Sequence, residues 1–420
     1  MKFASVKMVL FIIAAILVTS CGGRSGGGAT LSNGYESIEA KTLTLWFYYE
    51  GKERFALIKR MTDDFSLAHP GIVVNPVFIP FNDFNKRLSI GLANGDTPDL
   101  VMIDSPNHTA YAAMGLFADI TPLLEGWKGK EQYYPASWQS ASYQGRQYGV
   151  PLGINSLALF YNKKLFDQAG IAPPSTWDEL KEAATKLTNG GVTGLGISSP
   201  GNEEATFQFL PWLYASGADY RTIGSPEGIH SLAFLAELVR DGYMSNEIIN
   251  WTQADLTQQF AMGKVAMMVN GSWQIPELAI HAPDLSYGIV PIPKEKERAT
   301  VIGGENIGVV SGPNVAEAVK FVKYVASPEV SKTLNRDLGY FPARRDVAND
   351  PYWSEDPRLQ VFLHSLEYAR SRGPHPRWPE ISSAISVALD EALSLHSTPD
   401  AAAGAAQSQI DKLMKMSNSE

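Results

Sequence analysis

Cysteine is almost absent: Cys21 is the single one among 420 residues. An intrachain disulfide is therefore excluded, and so is a structural zinc site built on two or more cysteines. Basic charge is also short, with 35 Lys and Arg against 44 Asp and Glu, a net charge of −9. An acidic chain argues against a nucleic-acid partner and against a face that rests on anionic lipid. The 7 histidines are scattered and none stands four residues from another. No H-E-x-x-H, G-x-S-x-G or P-loop pattern occurs, so no metal or cofactor is expected. No apolar run reaches the ~20 residues of a membrane span. What is present is ordinary for a globular chain, 45% apolar and 19% charged, except for 9 Trp, 17 Tyr and 18 Phe on an acidic protein.

The N-terminus reads as an export signal. Lys2 and Lys7 precede an apolar stretch over residues 8–18, followed by Val18-Thr19-Ser20-Cys21-Gly22. Small residues ahead of the lone cysteine resemble the bacterial lipobox, in which that cysteine becomes the lipid-carrying first residue. The expected processing is a signal peptide over 1–20, lipid attachment at Cys21 and a Gly/Ser-rich tether over 21–41. Two or more acyl chains would anchor the protein stably to the outer face of the cytoplasmic membrane.

Beyond the tether the apolar pattern alternates between two periods. Residues 43–47, 72–79 and 99–103 are short β-prone runs. Phe55, Ile58, Met61, Phe65 and Ala68 recur at helical spacing, and residues 83–93 read as a helix after a possible cap at Asn82. Strands alternating with helices imply parallel βαβ units, with ligand-facing positions just past the strand ends. The middle of the chain is rich in helix starts: the capping box Thr176 to Glu179, and Ser225-Pro226-Glu227, Ser327-Pro328-Glu329 and Thr398-Pro399-Asp400.

Four segments resemble the solute-binding proteins of bacterial ABC importers, in particular the sugar-binding group that includes maltose-binding protein. They are GDTPDLVMID at 95–104, YGVPLGINSLALFYNKKLFDQAGIAPPSTWDEL at 148–180, FAMGKVAMMVNGSW at 260–273, and GGENIGVV at 303–310 with GYFPAR at 339–344. They occur in the family's order. The resemblance implies an α/β, two-lobed periplasmic-binding-protein-like fold of type II, with a sheet flanked by helices in each lobe and a hinge between them. Lobe one would be 42–152 plus 295–330 and lobe two 153–294 plus 331–415. It also implies a monomer that captures a carbohydrate in the interlobe cleft and delivers it to permease subunits. The membrane is met only through the lipid.

A sugar needs flat rings for its C–H faces and planar polar groups for its hydroxyls. Trp273, just past a strand-like run, is the leading platform, with Trp212 and Trp251 as further aromatic candidates. Trp177 reads as structural. Asp104 ends the third strand, and Asn107 follows it. Tyr48 and Glu50 follow the first strand, and Asn155 lies at the first crossover. Gly303 and Gly304 allow close backbone approach, with Glu305 and Asn306 next. Tyr340 and Arg377 could reach back from lobe two. Tyr340 and Arg377 would also suit a glycerol phosphate or another phosphorylated polyol, since arginine clamps phosphate with two bonds; the acids Glu50 and Asp104 favour a neutral polyol. A surface glycoside hydrolase would need two carboxylates facing one bond at ~5–10 Å, and nothing in the sequence singles out such a pair.

Overall fold

The computed structural model describes residues 40–417. The expected signal peptide, Cys21 and the expected tether as far as residue 39 lie outside the described residues, and Lys41 already belongs to the first strand. Among the described residues no helix is long and apolar enough to cross a membrane.

Two sheets organise the chain. The larger has the order Phe341–Pro342, Gly149–Asn155, Val301–Val309, Leu100–Asp104, Lys41–Phe47, Ile72–Phe78. The strand Arg370–Ser371 adds to the beginning of Val301–Val309. The smaller has the order Tyr287–Val290, Leu157–Asn162, Val265–Gly271, Thr193–Gly196. The N-terminal strands are parallel, as the βαβ pattern requires. Val301–Val309 then runs antiparallel between Leu100–Asp104 and Gly149–Asn155. An antiparallel strand arriving from far along the chain leaves no local signature in the sequence.

The local patterns explain how these elements form. Leu43, Leu45, Trp46 and Phe47 of the first strand are buried, as expected for a strand covered on both faces. The helix Lys52–Ala68 buries Leu57, Ile58, Met61 and Phe65, one stripe at i, i+1, i+4 and i+8. The capping-box threonine behaves as expected: Thr176 Oγ1 accepts from the Glu179 N–H at 3.2 Å. Glu179 reaches back one residue further, accepting from the Ser175 N–H at 2.7 Å. Ser225 caps the helix Pro226–Arg240 through the Gly228 N–H. Asn82 does not cap its helix. That helix, Phe81–Asn94, begins after Pro80, which puts Asn82 in its first turn.

The chain changes sheets at Ser156. Asn155 pairs with Gly303 in the larger sheet, and Leu157 pairs with Gly271 in the smaller one. It returns between Tyr287–Val290 and Val301–Val309. The helix Pro328–Leu338 still packs on Lys52–Ala68, beside the larger sheet. The helix Pro357–Ser365 packs on Tyr287–Val290 of the smaller sheet, and Trp378–Leu393 lies along Glu203–Ala215.

Candidate functional site

A cleft lies where the two sheets meet. One wall comes from the ends of the first and third strands and from the helices after the first and second, with Tyr48, Tyr49, Glu50, Arg54, Phe81 and Asp104. The other comes from the helix Glu203–Ala215 and from the turns around Gln253 and Trp273. Between them, Asn155, Gly304, Glu305 and Tyr340 come from the strands at the sheet change and the turn that follows Pro328–Leu338.

Trp273 sits in the turn after Val265–Gly271 and precedes the helix Gln274–His281. Its ring lies nearly parallel to Phe207, with centroids 6.1 Å apart and planes at 25°. Tyr340 meets it edge-on at 6.3 Å and 87°. Gly271 makes this packing possible, because a Cβ there would overlap the Trp273 ring. Across the cleft, Arg54 Nη2 donates to the Trp273 carbonyl at 3.1 Å and pairs with Glu277 at 3.0 Å. The turn that carries the tryptophan is thus tied to a helix of the opposite wall.

Arg372 is the central polar group. Its two Nη atoms donate to both oxygens of Asp104, each at 2.6 Å, and Nη1 also donates to Glu203 Oε1 at 2.8 Å. Trp378 Nε1 donates to the other oxygen of Glu203 at 3.0 Å. Arg372 lies over the Phe207 ring, 4.2 Å from its centroid. Asp104 precedes the helix Ser105–Ala113, yet its side chain makes no cap bond there, because Arg372 takes both oxygens. Burial pushes the Glu203 carboxyl up, and Arg372 opposes that shift.

Glu305 lies in the deepest part. Its Oε1 accepts from Tyr340 Oη at 2.8 Å and from Tyr48 Oη at 3.4 Å. Its Oε2 is buried without a partner. Burial pushes this carboxyl up to about 8, and the negative charge of Asp104 adds to the shift. Glu204 is pushed up to about 7 by burial, against bonds from the Gln253 N–H and Ser198. A carboxyl whose folded pKa is raised binds more protons folded than unfolded, so stability falls as pH rises through the interval between the two values. The ligand-free protein is therefore expected to melt at a lower temperature near pH 8 than near pH 5. Glu305→Gln, which cannot ionise, should reduce that loss; thermal melts at the two pH values measure it, and an unchanged loss would remove Glu305 as its source.

Gly304 faces the cleft at φ 134, a region that only glycine enters readily. A Cβ there would overlap the Gly153 carbonyl oxygen. Gly304→Ala is expected to cost about 1–3 kcal/mol in urea unfolding. An unchanged unfolding midpoint would show that the strand can shift to make room.

The cleft has aromatic walls and a carboxylate floor between two sheets, and the comparisons with known proteins give that arrangement a family. A model described as bacterial extracellular solute-binding protein matches residues 60–361. This chain belongs to that family. A maltotriose-binding protein of Pyrococcus abyssi is 26% identical over 363 residues, covering 84% of this chain and 77% of the relative. An ABC-transporter solute-binding protein of Thermotoga lettingae, solved with α-D-tagatose, is 29% identical, with a TM-score of 0.84 over 89% of this chain and 100% of that one. The GacH receptor of Streptomyces glaucescens, solved with and without acarbose, is 26% identical, with a TM-score of 0.81 over 90% and 99%. The two-lobed α/β fold expected from the sequence is the fold of these solved structures.

The binding-protein cleft brings together seven of the twelve ligand candidates read from the sequence: Trp273, Asp104, Glu50, Tyr48, Asn155, Gly304 and Tyr340. The other five lie elsewhere. Trp212 is 0% exposed and packs on Trp177 and Phe234, because its helix is buried on every side. Trp251 packs partly buried against the hydrophobic core. Asn107 is buried within the helix Ser105–Ala113 and does not line the cleft. Gly303 lines a second cavity, and a Cβ there would meet Asn155, Phe207 and Arg372 of the cleft. Arg377 pairs with Glu380, one helical turn away.

Sequence reasoning missed Arg372, Glu203 and Phe207. Arg372 stands five residues before the arginine singled out, immediately before Gly373-Pro374. Glu203 and Phe207 are one turn apart on a single helix, the spacing that puts two side chains on one face. Nothing local marked that face as cleft rather than core.

Proposed function

We propose that this chain is the substrate-binding subunit of an ABC importer, and that it captures a carbohydrate between its lobes and delivers it to membrane permease subunits. The observation that carries the reading is the pairing of the Trp273 platform with unpartnered polar atoms, Glu305 Oε2 and Asn155 Oδ1, in one interlobe cleft. Ring faces take the sugar's C–H surface, and the free polar atoms take its hydroxyls. Lobe closure over the ligand then changes the surface offered to the permease, so the permease reads occupancy. The sugar ligands of the relatives support the same reading. Calorimetry over a panel of mono- and oligosaccharides tests it; no binding at millimolar sugar would overturn it.

A phosphorylated polyol would be clamped best by an arginine with both Nη groups free. Both Nη groups of Arg372 are taken by Asp104 and Glu203, and Arg54 is held by Glu277. Glycerol phosphates in the same panel test this second reading directly.

Divided where the chain changes sheets, lobe one is 42–155 with 301–342 and lobe two is 156–300 with 343–415, and the strand Arg370–Ser371 of lobe two reaches back onto the larger sheet. The first crossing then falls at Ser156, next to Asn155, and the third after the 328–338 helix. The mature protein is a lipid-anchored monomer attached through Cys21. Cys21→Ala is expected to move it from the membrane fraction to the soluble one; unchanged membrane retention would refute the anchor.

A further inference from the structure

The floor of the cleft is more acidic and more aromatic than the capture of a neutral sugar requires. Tyr48 and Tyr49 have centroids 5.5 Å apart with planes at 63°, and Tyr49 and Tyr340 are 6.2 Å apart at 70°. Tyr340 and Trp273 follow at 6.3 Å and 87°. Four rings in succession, each steeply inclined to the next, line one cavity. Glu305 shares that floor, tied by Oε1 to Tyr48 and Tyr340, with Oε2 buried and unpartnered.

The basic groups nearby are committed elsewhere. Arg372 gives its Nη atoms to Asp104 and Glu203. Arg54 points to Glu277 and the Trp273 carbonyl. Glu50 and Glu204 also line the cleft, so the acids outnumber the bases. A carboxylate with one empty oxygen among inclined rings is an arrangement that a cation completes. The ring faces supply negative potential, and the carboxylate supplies a counter-charge in a desolvated place.

We propose that the floor formed by Glu305, Tyr48, Tyr49, Tyr340 and Trp273 holds a positively charged nitrogen, so that the cargo is a sugar or polyol bearing an ammonium or substituted-ammonium group. The inference rests on the carbohydrate reading and narrows it. Asp104, Arg372, Arg54 and the hydroxyls of Tyr48, Tyr49 and Tyr340 are the charged and titratable groups that act on Glu305 or on its neighbours. Burial and Asp104 keep Glu305 protonated in the empty cleft at neutral pH. A cation would favour the ionised form, so its binding releases a proton and strengthens as pH rises.

Calorimetry on the full chain with choline, a permanent cation, and with its uncharged isostere, in which a tert-butyl group replaces the trimethylammonium, reads the cage without any sugar. Choline should bind about tenfold or more tighter than the isostere. The gap should widen between about pH 6 and about pH 9. Glu305→Gln, checked for folding by its thermal melt, should collapse the gap; the wild-type comparison stands whether or not that variant folds. D-glucosamine should likewise bind tighter than D-glucose. Equal affinity for choline and its isostere overturns the cage. If a neutral sugar binds in that case, the carbohydrate reading survives without it. Choline binding with no sugar of either kind bound would retain the cage and overturn the carbohydrate reading.

Discussion

Arg372→Ala is expected to destabilise the folded protein by about 3–5 kcal/mol, the cost of leaving buried charges without their partner. The arginine side chain is 3% exposed, and it is the only cation bonded to Asp104 and Glu203 among the described residues. Removing it leaves two carboxylates facing each other in a desolvated place, where each must take up a proton or draw in water. The midpoint of urea unfolding measures the effect. Arg372→Lys should recover only part of the loss, because one ammonium cannot make two parallel bonds to Asp104 and also reach Glu203. Adding Asp104→Asn and Glu203→Gln to Arg372→Met removes all three charges and should recover more than lysine does. A loss below about 1 kcal/mol for Arg372→Ala would mean that the three groups are solvated as surface charges are.

Trp273→Ala is the second large effect, and it falls on binding. An aromatic anchor in a closed pocket commonly carries about 2 kcal/mol or more of binding energy. The affinity for the tightest sugar of the panel should therefore fall by about 30-fold or more. The ring is 9% exposed, packed against Phe207 on its face and Tyr340 on its edge, so most of its contact area is already in place before a ligand arrives. Trp212→Ala provides the contrast. Trp212 is 0% exposed and away from the cleft, so its loss should cost about 3–5 kcal/mol of stability, with affinity per folded molecule retained. Calorimetry on both variants separates the two. Unchanged affinity for Trp273→Ala would remove the platform from the site.

Much of the cleft was legible because its residues follow strand ends, a position that any βαβ pattern marks. Asp104, Tyr48 and Glu50 stand there, and Trp273 stands two residues past Val265–Gly271. Gly304 was legible as half of a glycine pair just ahead of Glu305 and Asn306. The tryptophans show the limit. Trp212 and Trp273 each lie near apolar residues and a helix, and their sequence context does not separate core from platform. One is enclosed on every side by its own helix and its neighbours, and the other sits in a turn between two walls. Arg377 and Arg372 show the same limit. Both lie in one proline-rich segment, and only the packing sends Arg372 to Asp104 and Arg377 to Glu380.

By itself the sequence determined what local physics can decide. It set the alternation of strand and helix periods, the helix starts at Thr176 and Ser225, the lone cysteine, the acidic balance and the surplus of aromatic residues. Those depend on neighbours a few positions away. Only the tertiary structure decided which acids would be charged, paired or left open. Asp104, Glu305 and Arg372 are up to 268 positions apart in the chain, and they meet because Val301–Val309 pairs with Leu100–Asp104 and, at its start, with Arg370–Ser371. An arginine's partners and a carboxylate's empty oxygen depend on that meeting, and no stretch of sequence contains it.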